Sequence, residues 1–420
     1  MKRQSLCRFP REHVREISQF RCASTQTSVV KVPMKLLHVN ADLARTTGGP
    51  AKAVIDMAMA VKPYGHDISI FATDYGGATV ALDEARAAGV DIRLFPVRFP
   101  KFWERSPELK RALAQTIPSC DLVVIHSLYM YHSWIAANIC RRHNVPYIVR
   151  PHGTLDPYLY RRHRWRKRIL EVLFQNRALR EAAAIHYTSD DERRLAEPVA
   201  YNRSAEIVPL GLGESDYRPL PAPGTFRARF PELGQRTLVL FLGRLNFKKG
   251  LDLLLPAVAS AIAQGRDLHL VLAGQNDNMA DTLAALIQTH NLSNRITFTG
   301  FLAGRDKLAA FADADMFVLP SYSENFAISV AEAMFCRVPV IVSDRVNMCG
   351  DVARANAGRV VAPDIAELTE AILELSGDAA LRRSLGAAGE ALVREQYLHE
   401  RVGQMLDSMY RRHARASLVA

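Results

Sequence analysis

Two carboxylates and two cations are the residues most able to do chemistry in this chain. In PSYSENFAISVAEAMFCRVPVIVSD, Pro320 to Asp344, Glu324 falls in a loop just after an apolar strand and Glu332 inside the helix that follows. A half-buried acid is unfavourable unless something polar meets it, so a loop Glu and a mid-helix Glu aimed at one pocket suit a ligand rich in hydroxyls. In FLGRLNFKKG, Phe241 to Gly250, a strand ends at Gly243, Arg244 and Lys249 follow, and a helix begins near Leu251. Cations fixed beside a helix N-terminus can stabilise a departing diphosphate where a metal ion would otherwise be needed. A short basic loop is more often just solvated, but together with the glutamates these cations complete the phosphate half of a nucleotide-sugar site.

Three further segments carry weaker signals. Gly48 and Gly49 in ARTTGGPAKAVIDMAMA precede a helical pattern and would let the backbone approach a phosphate or sugar, although an ordinary turn explains them equally well. They form neither a Walker loop nor a spaced dinucleotide fingerprint. His152 and Gly153 in IVRPHGTLDPY end a strand, so the imidazole should face a cleft, where it could bond a transferred sugar or a phosphate, or offer its backbone carbonyl to the reacting centre. His126, also at a strand end, is a candidate acceptor-side residue. Asp313 and Asp315 precede a buried strand and read as helix termination, so no metal site is expected.

The elements that must position these groups alternate. Short apolar runs at Lys35 to Val39, Asp67 to Ala72, Leu122 to His126, Tyr147 to Arg150, Ala184 to Tyr187 and Glu206 to Val208 are separated by helical patterns. The stretch from Pro209 to Gly224, rich in Pro and Gly, interrupts the pattern. It restarts with Thr237 to Gly243, Leu268 to Ala273, Ile296 to Thr299, Met316 to Leu319 and Val338 to Ser343, and Glu395 to Arg412 reads as a closing helix. This is the pattern of an α/β protein with two doubly wound domains, ligands lying between them at the carboxyl ends of strands. The boundaries expected are 34–214 for the first domain, 215–395 for the second, and 396–420 for the closing helix and tail.

The 420 residues, 49% of them apolar, suffice for two cores. Six scattered cysteines (7, 22, 120, 140, 336 and 349) lack zinc or redox spacing and read as reduced thiols of a cytoplasmic protein. No apolar run reaches membrane-spanning length. The net charge of +11 is concentrated: residues 1 to 33 contribute +5 and Arg161 to Arg168 contribute +6. A diffuse nucleic-acid surface is thereby disfavoured. Residues 1–33 read as a disordered basic tail or an upstream start-site artefact, with a transit peptide as the lesser reading. The cations Arg161, Arg162, Arg164, Arg166, Lys167 and Arg168, with Trp165 among them, precede an apolar-periodic helix. They suit either a solvated face or an anionic membrane surface, the latter at about 1 kcal/mol per cation.

Taken together, the GG loop, the Pro151 to Gly153 PHG turn, GRLNFKKG, SENFAISVAEAM and VPVIVSD resemble the family-4 retaining glycosyltransferases of the GT-B fold, across nearly all of Met34 to Arg412. The resemblance implies two Rossmann-like domains facing a central cleft, with a C-terminal helix crossing back. It implies a nucleotide sugar, UDP- or GDP-hexose, on the second domain: Arg244 and Lys249 on the diphosphate, Glu324 on the donor sugar, Glu332 on the ribose diol, and backbone amides of Asn325, Phe326 and Ala327 completing the contacts. The first domain would shape the site for a saccharide or lipid-linked acceptor. No cofactor or metal is implied. The HGTLDPYLYRRHRWRKR stretch resembles a subgroup from bacterial surface-polysaccharide clusters, a hint about pathway alone; the expected location is cytoplasmic, with the basic stretch allowing a peripheral place on the inner face of the cytoplasmic membrane. Two departures stand out: Ala327 where the family usually has Gly, and Pro209-Leu210-Gly211 in place of Pro-Asn-Gly. A sugar-nucleotide 2-epimerase of similar fold and a non-catalytic basic binding protein are the competing readings.

Overall fold

The computed structural model describes residues 32–44, 49–77, 79–80, 82–157, 168, 170–200 and 204–415. The basic tail up to residue 31, Gly48, and the cations from Arg161 to Lys167 with Trp165 lie outside the described residues, as do Cys7 and Cys22.

Seven strands build the first sheet: β1 (Lys35–Asp42), β2 (Asp67–Thr73), β3 (Asp91–Phe95), β4 (Leu122–His126), β5 (Tyr147–Arg150), β6 (Ala184–Tyr187) and β7 (Ala205–Ile207). Their order is β3-β2-β1-β4-β5-β6-β7, every neighbour parallel. The second sheet holds β8 (Thr237–Leu242), β9 (Leu268–Ala273), β10 (Ile296–Gly300), β11 (Met316–Leu319), β12 (Val340–Ser343) and β13 (Gly358–Val361), also all parallel, in the order β10-β9-β8-β11-β12-β13. Central strands covered by helices on both faces read as continuous apolar runs, and β4, β5, β9, β11 and β12 are buried throughout. β3 and β13, absent from the sequence reading, are sheet edges. Half-exposed and carrying Asp91 and Arg93 or Gly358 and Arg359, they lack the apolar run that betrays a central strand.

In both sheets the strand order reverses beside the first strand, between β1 and β4 and between β8 and β11. Loops leaving these neighbours diverge to opposite faces and open a crevice, the usual ligand position in doubly wound sheets.

The closing helix differs from the single element expected at Glu395 to Arg412. One helix, Ala379–Gln396, ends at Tyr397 and a second, His399–His413, begins two residues later. The break is held by the linker: Leu212 N donates to Tyr397 O at 2.7 Å and His399 N donates to Leu212 O at 2.9 Å, so Tyr397 and Leu398 pair with extended chain instead of continuing the helix. The second helix packs Val402, Leu406, Met409 and Tyr410 into the core of the first domain. Contact is so close that a Cβ on Gly403 would lie 2.1 Å from the carbonyl oxygen of Ala60. A buried His66–Asp407 contact of 2.9 Å adds a polar tie. Among the described residues no helix is long and apolar enough to cross a membrane.

Candidate active site

A cavity of about 830 Å³ lies between the carboxyl ends of the two sheets. It brings together Gly49, His152, Arg244, Lys249, Glu324, Asn325, Phe326, Ala327 and Glu332 from the sequence reading. Its cationic end is built by close backbone approach. A Cβ on Gly274 would lie 1.8 Å from Gly243 O and one on Gly250 would lie 2.0 Å from Pro320 O, so only glycine lets the exits of β8, β9 and β11 converge. Arg244, half-exposed, lies 3.4 Å from Asp277, which also accepts from Asn246 Nδ2 at 2.7 Å. Lys249 closes the short turn Phe247–Lys249 and forms an ion pair with Glu324.

Burial and opposite charge compete in this pair. For Glu324, burial raises the pKa, but the positive field of Lys249, Lys248 and Arg244 outweighs it and holds the group below its ordinary value, as a carboxylate. For Lys249, burial dominates and lowers the pKa, with Glu324 opposing. A second anion placed here would meet three cations, Lys248, Lys249 and Arg244, against two carboxylates, Glu324 and Asp277.

Glu332 sits deeper, 3% exposed, on the helix Ile328–Phe335. Its Oε1 accepts from Tyr217 Oη at 2.6 Å and Lys307 Nζ at 2.8 Å. Burial raises its pKa, but the Lys307 charge and these two bonds bring it below the ordinary value. The helix starts at Ala327, which adopts φ 56° and ψ 62°, the left-handed conformation that glycine takes without strain. Across the cleft, Lys52 and Asp56 form a 2.7 Å pair on the helix Gly49–Val61. Sequence reading missed Lys52, Asp56, Tyr217 and Lys307, all of which line the cavity. The first two left an i,i+4 signal on a helix that reads as merely amphipathic; Tyr217 was hidden in the Pro-rich linker.

The first domain contributes His152 and Gly153, both with positive φ (53° and 74°) in the turn after β5. Gly153 N donates to the buried carboxylate of Glu192 at 2.9 Å, and Thr188 binds the same side chain through its backbone and hydroxyl. The domains touch at this point: Thr188 Oγ1 lies 3.1 Å from the side-chain amide of Asn325, and Ser323 Oγ donates to Asp156 at 2.7 Å. His126 requires a correction. It is fully buried behind His152 and is not part of the cavity lining, so it cannot contact an acceptor directly. The reason is depth: His126 is the last β4 residue and pairs with Arg150, whereas His152 has already left the sheet.

Asp313 and Asp315 serve the fold. Asp313 accepts from the backbone N–H groups of Gly224, Phe226 and Arg227, and Asp315 from that of Leu238. Among the described residues no group of three or more His, Cys, Asp or Glu side chains is placed to hold a metal ion. Arg168, the described member of the basic stretch, is exposed.

Comparison with known proteins fits this geometry. A glycosyl transferase 4-like domain model matches residues 48–213, and the glycosyl transferases group 1 model matches residues 225–392. This chain belongs to the family-4 glycosyltransferases of the GT-B fold. The chain is 28% identical over 242 residues to alpha-D-kanosaminyltransferase of Streptomyces kanamyceticus, covering 56% of this chain and 62% of that one. It is 30% identical over 227 residues to a GDP-mannose-dependent monoacylated alpha-(1-6)-phosphatidylinositol monomannoside mannosyltransferase of Corynebacterium glutamicum, covering 52% and 58%. The chain thus spans about three fifths of these curated relatives. Among solved structures, Anabaena HepE in complex with UDP-glucose superposes with a TM-score of 0.74 at 19% identity, covering 90% of this chain and 100% of that chain. WaaG, a glycosyltransferase involved in lipopolysaccharide biosynthesis, gives 0.66 at 17%, covering 89% and 99%. At these identities the structural likeness concerns the fold.

Proposed function

We propose that this glycosyltransferase moves a hexosyl unit from a UDP- or GDP-hexose to a hydroxyl of a saccharide or lipid-linked saccharide, with retention of anomeric configuration. The observation that carries this reading is the Lys249–Glu324 pair, set with Arg244 at the carboxyl ends of β8 and β11 and facing His152 across the cleft. Arg244 and Lys249 hold the diphosphate and stabilise the charge that develops as it leaves. Because those cations supply the electrostatic stabilisation, no metal ion is required. Glu324 binds donor-sugar hydroxyls beside them. Glu332 holds the ribose diol with its second carboxylate oxygen, since Oε1 is occupied by Tyr217 and Lys307. Backbone N–H groups from Asn325 to Ala327 complete the donor contacts. Retaining hydrolases pair a nucleophilic carboxylate with an acid about 5–5.5 Å away. Here the cleft glutamates are tied to cations instead, which favours front-face attack with the leaving phosphate taking the acceptor proton.

The relatives' names support the donor and acceptor classes: UDP-glucose with HepE, GDP-mannose and a phosphatidylinositol mannoside with the corynebacterial enzyme. Synthesis of surface polysaccharide or lipopolysaccharide in the cytoplasm fits such chemistry. A peripheral site on an anionic membrane is supported by Phe99 and Phe102, 85% and 83% exposed beside Lys101, and by exposed Val172 and Leu173 following the basic stretch. Vesicles containing anionic lipid should sediment the wild type and release it in high salt; equal sedimentation of Phe99→Ser/Phe102→Ser would remove this patch from the account.

The decisive assay incubates nucleotide sugars with and without saccharide acceptors and reads nucleoside diphosphate release and product anomeric configuration by NMR. Acceptor-dependent release with the donor's configuration is expected. Inverted product contradicts retention, and a second sugar nucleotide formed without acceptor identifies an epimerase.

A further inference from the structure

Behind His152 runs a file of buried imidazoles that the transfer reaction, as described, does not use. His152 Nε2 lies 3.0 Å from His126 Nδ1, and His126 Nε2 lies 2.9 Å from His38 Nδ1. His38 and His126 are wholly buried, on β1 and β4. Their ring planes are tilted by 25° with centroids 5.2 Å apart, the edge-to-edge placement of a nitrogen-to-nitrogen hydrogen bond. All three are neutral near pH 7: burial, reinforced by the Arg150 charge, pushes His38 down to about 3, and burial lowers His126 and His152 well below their ordinary value.

A neutral imidazole has one N–H and one lone pair, so a file of three joined nitrogen to nitrogen admits two arrangements. Every ring donates outward, toward the cleft, or every ring donates inward. The inner end decides between them. His38 Nε2 is buried without a hydrogen-bond partner. An inward file would place an orphaned N–H there, which native structures rarely tolerate, whereas an outward file leaves only a lone pair. The charge around the inner end agrees. Arg150, fully buried on β5, has Nε and Nη2 without hydrogen-bond partners, and these groups are donors alone. Its positive field acts on His38, His126 and His152 and favours lone pairs directed inward. Tyr410, from the helix that crosses back, sits edge-on to His38 at 6.1 Å, and its hydroxyl is likewise buried without a hydrogen-bond partner.

We propose that His38 and His126 are positioning residues that lock His152 in the Nδ1–H tautomer, so that it presents a hydrogen-bond donor to the cleft and cannot serve there as a proton acceptor. His126 takes the Nε2 lone pair, leaving Nδ1–H for the cavity that the ring lines. On the glycosyltransferase reading the donor meets an oxygen of the bound sugar or phosphate. The tautomer itself does not depend on that reading.

Long-range proton–nitrogen NMR on uniformly nitrogen-15-labelled full chain at pH 7, without ligand, tests this directly, with His152 assigned by its loss in His152→Gln. The expected spectrum has Nδ1 protonated and Nε2 bare. Protonation at Nε2, or an imidazolium, overturns the proposal. His38→Leu removes the inward anchor and should produce a mixture of tautomers with about a tenfold fall in kcat/KM, the size of one lost hydrogen bond. His38→Asn, which can present an N–H in place of Nδ1–H, should restore both. An unchanged His152 spectrum in folded His38→Leu would show that the file does not set the tautomer. If His38→Leu fails to fold, the wild-type spectrum still decides. A protonated Nδ1 in a chain that transfers no sugar would sink the function and leave the file intact.

Discussion

At the residue scale, Ala327 shows how a small departure is accommodated. The left-handed conformation costs a non-glycine residue about 1–2 kcal/mol, and here that conformation starts the helix carrying Glu332. Ala327→Gly should relieve this strain while losing a buried methyl contact of about 0.8 kcal/mol. Denaturant unfolding should therefore show a change within about 1 kcal/mol, with donor binding retained. Ala327→Val, whose branched side chain resists positive φ, should lose at least about 2 kcal/mol; a neutral valine variant would mean the turn is not constrained. Glu324, Arg244, Lys249 and His152 were legible in the sequence because strand-end motifs announce which loop faces a cleft. Tyr217 and Lys307 were not. Their role comes from meeting Glu332, and no local pattern encodes a contact between residues 115 and 25 positions apart.

At the element scale, the linker and the broken C-terminal helix act together. The pairing of Leu212 with Tyr397 and His399 crosses a tight junction: a Cβ on Gly211 would lie 2.8 Å from His399 Cδ2 and 3.2 Å from Val402 Cβ. Gly211→Val should overfill this junction, destabilising by about 1–3 kcal/mol, read as a lower urea midpoint with unchanged slope. An unaffected midpoint would show that the junction has room. Central strands were readable to within three residues because burial on both faces makes them apolar runs. The edges β3 and β13 and the break at Tyr397 were not, since edge strands keep polar residues and the break depends on a partner more than 180 residues away.

At the scale of the whole molecule, the first domain stores acid sensitivity. His38, His126, His132, His152 and His186 are all depressed below 6.5, chiefly by burial, with values of about 3 for His38 and about 4 for His132. The unfolded chain takes up protons near 6.5 while the native chain refuses them, so stability is present above that pH and falls below it. The loss is roughly 1.4 kcal/mol per pH unit for each such proton. Glu104 acts oppositely: burial, with Asp42 adding, raises it from 4.5 to about 7, so its contribution is lost as pH rises between those values. Burial also raises Asp56 and Glu192, yet the urea midpoint should drop between pH 6.5 and 5 because five imidazoles outweigh these three carboxyls. Glu104→Gln should make that acid decline steeper. A flat midpoint over this range would contradict the buried-neutral assignment of the histidines.

The cationic strand ends of the second domain carry the functional account, and calorimetric titration of UDP and GDP into wild type and Lys249→Ala tests them most directly. At least one diphosphate should bind the wild type saturably, and the substitution should weaken it tenfold or more while the variant remains folded. Equal affinity in the two proteins, or no binding of either nucleotide, would contradict a diphosphate site at Arg244 and Lys249.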